Sequence, residues 1–167
     1  MRTLVKISIV LAFCVIVLGA FTRLTEAGLG CPDWPGCYGF LTVPSKAEHI
    51  AQAEALFPGA PVEADKAWYE MIHRYFAGTL GLLILAIAVS AWFKKRQPSQ
   101  KPTPIKLPTF ILALVIFQAA LGMWTVTLNL QPLIVMGHLL GGFSIISLLL
   151  LLNLRLAPYR VGGGDPE

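Results

Sequence analysis

Four apolar runs, each long enough to cross a membrane, leave this 167-residue chain few ways to fold. A helix needs roughly 20 apolar residues to span the hydrocarbon core of a bilayer. The runs cover approximately residues 7–21, 68–93, 107–128 and 133–154. With 56% hydrophobic and 13% charged residues, the composition excludes an ordinary soluble domain. The first run resembles a signal peptide, because Arg2 and Lys6 precede it and Gly19 and Ala20 lie near its end. Phe21 to Leu24 continue it without a cleavage pattern, so it is read as a retained helix.

Charge placement sets the expected orientation. Arg2 and Lys6 flank the first run, Lys94, Lys95, Arg96, Lys101 and Lys106 crowd the second connection, and Arg155 and Arg160 follow the last run. Basic residues collect on the cytoplasmic side of membrane proteins, so both termini are expected there. The first connection instead carries Glu26, Asp33, Glu48, Glu54, Glu63, Asp65 and Glu70, and the short third connection is uncharged; both belong outside. The expected architecture is all-α: a multi-pass four-helix up-down bundle in the cell inner (plasma) membrane, a single domain over residues 1–167 with one large outer loop at 25–67. The net charge of +4 is accounted for by this clustering and carries no nucleic-acid footprint.

The outer loop opens with Gly28-Leu29-Gly30-Cys31-Pro32-Asp33-Trp34-Pro35-Gly36-Cys37, whose glycines and prolines predict a compact turn. Residues 45–57 change to a helical pattern, with Ser45 and Glu48 spaced as a capping box and Ile50, Ala53 and Phe57 on one face. A short amphipathic helix lying on the membrane is expected there. Pro58-Gly59 ends it, and Trp68 with Tyr69 marks the interface where the second run enters. Residues 97–108 read as a cytoplasmic linker and 162–167 as a polar tail, and no strong internal repeat is evident.

Ionisable groups are costly in lipid, roughly 2 to 3 kcal/mol or more each, so the few inside these runs need a reason. His73 lies five residues after Trp68 and His138 five after Leu133. Both runs enter from outside, so at ~1.5 Å per residue the imidazoles sit at one depth, about 7 to 8 Å below the start of each run. The second and fourth runs face each other diagonally in an up-down bundle, which lets two imidazoles ligate one iron. A haem fits this arrangement, with Phe76, Leu80 and Phe143 against its faces and Arg74 and Arg23 available to its propionates. Gly78, Gly137, Gly141 and Gly142 would permit close approach. The plainer reading of each histidine is an interhelical hydrogen bond, and matched depth argues against it. Zinc would need more ligands than two histidines supply.

Glu70 precedes His73 by three residues and shares its helix face, where it serves either as a base at the haem edge or as a solvated helix-start residue. Arg74 has an equally plain reading as an interface anchor. Cys31 and Cys37 face an oxidising compartment in this topology and are expected to form a disulfide, with a structural role favoured over a redox one. Cys14 reads as a small buried hydrophobe and His49 as solvated.

Thr22-Arg23-Leu24-Thr25 followed by Gly28-Leu29-Gly30-Cys31-Pro32-Asp33-Trp34-Pro35 closely resembles the first outer loop of the haem A synthases. Glu70-Met71-Ile72-His73-Arg74, the stretch QAALGMWTV at 118–126 and Gly137-His138-Leu139 extend the resemblance over nearly the whole chain. The resemblance implies oxidation of the haem O methyl group to the formyl of haem A, for terminal cytochrome oxidases. It implies His73 and His138 as axial ligands, Glu70 as the catalytic carboxylate, and Cys31 with Cys37 as the outer-loop pair of some members. Typical members have about eight spanning helices in two halves, the second holding a haem B that passes electrons. This chain matches the amino-terminal half, so a homo-oligomer, a separately encoded second half or a truncated reading frame is expected, along with delivery of haem O by a farnesyltransferase-type protein. The residues name no electron acceptor.

Three other readings compete. A bis-histidine haem-binding electron-transfer or haem-handling protein would use the same ligands without oxidising the porphyrin. A quinone-linked thiol oxidoreductase would need a second outer cysteine pair, which the sequence lacks. A noncatalytic assembly subunit would leave His73, His138 and Glu70 unexplained.

Overall fold

Backbone polar groups in lipid must pair within their own segment, so apolar runs of this length fold as helices. The computed structural model of the chain describes residues 1–95 and 104–157. The spanning runs are α1 (Arg2–Leu24), α3 (Ala64–Lys95), α4 (Lys106–Thr127) and α5 (Pro132–Arg155), and α2 (Ala47–Leu56) lies in the loop between α1 and α3. No strand forms among the described residues. All four long helices are apolar enough to cross a membrane. The helices extend past most of the apolar limits because flanking charged residues, Lys6 and Lys94 among them, are themselves good helix formers. Arg96, Lys101, Arg160, most of the 97–108 linker and the 162–167 tail lie outside the described residues.

α3 is the longest element, at 32 residues. Crossing a bilayer core takes about 20 residues, so α3 has about three turns more than a crossing needs. α1 packs on α3 and α5, and α4 packs on the same two helices, so α3 and α5 sit on a diagonal without close backbone approach. Edge-to-face packing of Phe21 on Tyr69, with centroids 5.0 Å apart, joins α1 to α3 at one end. At the other end of α3, the Trp92 indole N–H donates to Thr109 of α4 over 2.9 Å. Between α4 and α5 the chain reverses through Asn129 and Leu130, both left-handed with φ of 49° and 56°. Such strain in a leucine costs on the order of 1–3 kcal/mol, and here it places the Leu130 side chain against Gly28 of the first connection.

Two apolar clusters divide the molecule. One fills the bundle with Val5, Ile84, Ile87, Ile111, Leu149 and Leu152. The other belongs to the outer loop and the start of α3, with Cys31, Cys37, Tyr38, Val43, Ala53 and Met71. Within it the Asp33 carboxylate accepts from the backbone N–H groups of Tyr38 (2.6 Å) and Gly39 (2.9 Å), holding the Cys31–Cys37 loop closed. The Tyr38 hydroxyl donates to the Pro61 carbonyl over 2.9 Å. Burial first, and then the Glu63 carboxylate, push the Tyr38 phenol above its ordinary pKa, so it remains a donor.

Three loop expectations are corrected. α2 begins at Ala47 with Lys46 as its N-cap and no side-chain capping bond, so the Ser45–Glu48 capping box does not form. The face carrying Ala53 and Phe57 packs into the loop's own cluster, where Phe57 meets Tyr38 edge-to-face at 5.9 Å. His49 is not free in solvent: it is half-buried and stacks on Phe40 at 5.0 Å.

Gly30 is the point where the loop touches the backbone of α3. A Cβ there would lie 2.6 Å from the Lys66 carbonyl group and 2.7 Å from the Ala67 nitrogen, both main-chain atoms that cannot step aside. Gly30→Ala is therefore expected to destabilise the protein by about 1–3 kcal/mol through overpacking. Gly81→Ala, which meets nothing within 4 Å, is expected to be neutral or mildly stabilising. Denaturant unfolding in detergent, followed by circular dichroism, measures both.

Candidate functional site

His73 and His138 come together where α3 and α5 otherwise make no close approach. Their ring centroids are 6.5 Å apart and the ring planes cross at 80°. Along α3, His73 lies between Met71 of the loop cluster and Leu80 and Ile84 of the bundle cluster, so the pair occupies the junction of the two apolar regions. In both residues Nδ1 is shielded from solvent and makes no well-formed hydrogen bond, although the backbone of Val15 lies within weak hydrogen-bonding reach of the His73 ring and that of Gln118 within reach of the His138 ring. Two imidazoles brought this close from helices that are otherwise apart could hold a haem iron between them.

Two glycines set the positions of these rings: Gly19, noted in the sequence only as part of a signal-peptide-like end, and Gly122, which the sequence left without a role of its own. A Cβ on Gly19 of α1 would lie 2.9 Å from Cε1 of His73, and one on Gly122 of α4 would lie 3.3 Å from Cε1 of His138. The backbone of Val15 lies beside the His73 ring, and that of Gln118 beside the His138 ring. Each histidine thus rests on the neighbouring helix between two residues four positions apart, Val15 and Gly19 or Gln118 and Gly122. A signal for this was present: Leu18-Gly19-Ala20-Phe21-Thr22 and Leu121-Gly122-Met123-Trp124-Thr125 share the pattern L-G-x-aromatic-T. It is a short internal repeat with one structural purpose.

The glycines named from the sequence have other surroundings. Gly78 meets nothing within 4 Å, Gly137 only Leu121, and Gly141 and Gly142 face the Gln118 side chain. Leu80 is buried in the bundle cluster, at 5% exposure, so it is not free to line a ligand face, whereas Phe76 and Phe143 are exposed. Cys14 is half-buried with a free thiol.

Glu70 is not a solvated helix-start residue. It is 5% exposed, and its Oε2 accepts from the Cys31 N–H over 3.0 Å while Oε1 accepts from the Arg74 guanidinium over 2.5 Å. The other arm of Arg74, Nη1, donates to the carbonyls of Asp33 (3.0 Å) and Gly36 (2.5 Å). Both carbonyls lie within the loop closed by the Cys31–Cys37 disulfide, and Cys31 is itself fully buried. One turn of α3 therefore carries the loop clamp and the imidazole together. A guanidinium has five N–H donors, more than these partners use. Arg23 is exposed at the end of α1 and does not join this network.

Removing one partner from a buried ion pair leaves the other uncompensated. Glu70→Ala and Arg74→Ala are each expected to cost about 3–5 kcal/mol, with the double variant costing clearly less than the sum. Unfolding midpoints of the four proteins in one detergent measure the coupling.

Comparison with known proteins agrees with this arrangement of motifs. The family model COX15-CtaA, described as cytochrome oxidase assembly protein, matches residues 2–165. A haem A synthase from Shewanella oneidensis is 55% identical over 162 residues, which is 97% of this chain and 47% of that protein. Haem A synthases from Sinorhizobium fredii and Agrobacterium fabrum are 32% and 28% identical, covering 71% and 78% of this chain and 34% and 38% of their own lengths. The chain thus spans about half the length, or less, of these relatives. No solved structure matches it. A family match over almost every residue, on a bundle that brings the two motif histidines together, means that this chain belongs to the COX15-CtaA family of cytochrome oxidase assembly proteins.

Proposed function

We propose that the chain acts in haem A synthesis, binding haem O between His73 and His138 and supporting oxidation of its methyl group to a formyl group. The observation that carries this reading is the approach of the two imidazoles to 6.5 Å between ring centroids, from helices that otherwise make no close contact. Conversion of the methyl to the formyl releases four electrons and four protons when the new oxygen is counted as water. The bound haem iron supplies the redox chemistry, and the protein supplies ligation, orientation and fixed charge.

In this reading His73 and His138 fix the porphyrin at the boundary between the bundle and the outer loop. Glu70, three residues from His73, is the catalytic carboxylate. Both of its oxygens are already engaged, by Arg74 and by the Cys31 N–H, which favours a fixed negative charge that stabilises positive charge developing at the methyl carbon over outright proton removal. The donors left over on Arg74, with the exposed Arg23, serve the propionates. The disulfide keeps the loop carbonyls aimed at Arg74, a structural rather than a redox role.

The wider setting follows from the same reading. The chain sits in the cell inner membrane with both termini cytoplasmic and the histidines near the outer face. A farnesyltransferase-type protein hands over haem O, and a second four-helix unit, another copy or a separate half, carries haem B and passes the electrons on.

Expression with a supply of haem O, followed by spectra and porphyrin extraction of the purified protein, tests this. Low-spin haem is expected in the wild type and is expected to vanish in His73→Ala and in His138→Ala. Glu70→Gln is expected to retain haem while losing at least about a hundredfold in formation of hydroxylated or formyl porphyrin, as for loss of a fixed transition-state charge partner. Wild-type protein without haem would sink the reading. Haem that is bound but never modified, even with the second unit supplied, would point to a haem-handling protein.

A further inference from the structure

Among the described residues, Gln118 is the one buried amide in the long helices whose side chain reaches a histidine of the site. It is 8% exposed on α4, and its Nε2 donates to the backbone carbonyl of His138 on α5 over 2.7 Å. Its own backbone lies beside the His138 imidazole, so one residue holds His138 by both its main chain and its ring. The carbonyl of His138 can only accept, which fixes the NH2 end of the amide toward it and turns Oε1 the other way. Oε1 is buried without a partner and packs against Gly141, where a Cβ would collide with it. Gly142 gives further room, its Cβ position lying 3.7 Å from Nε2.

The partner site lacks this device. At the equivalent position of the L-G-x-aromatic-T repeat, four residues before the glycine, α1 carries Val15, which cannot donate a hydrogen bond. His73 is instead anchored by the neighbouring Glu70–Arg74 clamp on its own helix. The two imidazoles therefore reach one level by different means: His73 through the outer loop, His138 through an amide inside the bundle.

We infer that Gln118 is a positioning residue for His138, and that Gly141 exists in α5 to leave space for its carboxamide. The inference rests on the proposed bis-histidine haem site and adds a determinant of how firmly the second ligand is held. Groups that orient a metal-binding histidine commonly change affinity by 10–100-fold when removed.

Two variants that do not touch either imidazole test it. Gln118→Met keeps the length and volume of the side chain and removes the amide. Gly141→Ala adds a methyl where Oε1 now lies; the obstacle is the far end of a flexible side chain, so the helix tolerates the methyl by displacing the amide. Gly81→Ala, with nothing within 4 Å, controls for a methyl added to a spanning helix. Each protein is loaded with haem O and purified, its helix content is checked by circular dichroism, and two quantities are read: the low-spin electron paramagnetic resonance signal and the rate of haem loss to apomyoglobin.

Gln118→Met and Gly141→Ala are expected to fold and to bind haem, with an altered low-spin signal and haem loss faster by about tenfold or more. The double variant is expected to lose haem no faster than Gln118→Met alone, because both changes break one contact. Gly81→Ala is expected to match the wild type. Wild-type signal and loss rate in Gly141→Ala, or in a folded Gln118→Met, would overturn the inference while leaving the haem site intact. Equal effects in Gly81→Ala would also overturn it. Absence of haem from the wild type would instead defeat the underlying site, and this inference with it.

Discussion

The outer half of the molecule is organised by one buried ion pair. Arg74 and Glu70 are 12% and 6% exposed at their side chains, a setting in which taking both charges out of water can cost more than their attraction returns. What makes the pair tolerable is the number of further partners. Arg74 also donates to two carbonyls of the disulfide loop, and Glu70 also accepts from the N–H of Cys31. The pair thus contributes geometry more than net stability: it fastens a loop of poor intrinsic order to the turn of α3 that bears His73. The Cys31–Cys37 disulfide and the Asp33 contacts serve the same end from the other side, by keeping the accepting carbonyls in one place.

Below that clamp the bundle is close to a doubled helix pair. α1 supports α3 through Gly19, and α4 supports α5 through Gly122, each glycine letting an imidazole lie against the backbone of its neighbour. The connections break the likeness. α1 leads to α3 through a folded loop with its own apolar cluster, whereas α4 leads to α5 through a tight reversal with two left-handed residues. Leu130 at that reversal packs on Gly28, so the short connection braces the long one.

The spanning helices and the approach of His73 and His138 were legible because lipid imposes simple rules. His73 lies nine residues into α3 from Ala64 and His138 only six into α5 from Pro132, so counting from the helix ends would have placed them unevenly. Counting from the first apolar residue, Trp68 or Leu133, gave equal depths, since helices in a bilayer are positioned by where polarity ends. The loop was less legible because its contacts are long-range. The destinations of Arg74 lie 38 to 41 residues away, and no local pattern distinguishes a guanidinium that clamps carbonyls from one that anchors at an interface. The capping box failed for a related reason: packing of Ala53 and Phe57 into the loop cluster, not the N-terminal side chain, decides where α2 starts. Gly19 and Gly122 were hidden by their commonness, since small residues in apolar helices mark close packing without saying against what.

The diagonal arrangement bears on why a ligand, and not a hydrogen bond, should join the two histidines. Adjacent helices in this bundle meet through close backbone approach, and a histidine at such a seam would find a carbonyl or hydroxyl on the facing helix. α3 and α5 have no such seam. Their imidazoles meet across the centre, edge to face, each ring lying against the backbone of the helix beside it. An amide that could have served His138's ring, that of Gln118, is spent on its backbone carbonyl instead. Glycine on α1 and α4 further lets each ring lie close against its supporting helix, which stiffens the rings. On the proposed haem reading, rings stiffened in this way meet the orientation cost before the ligand arrives.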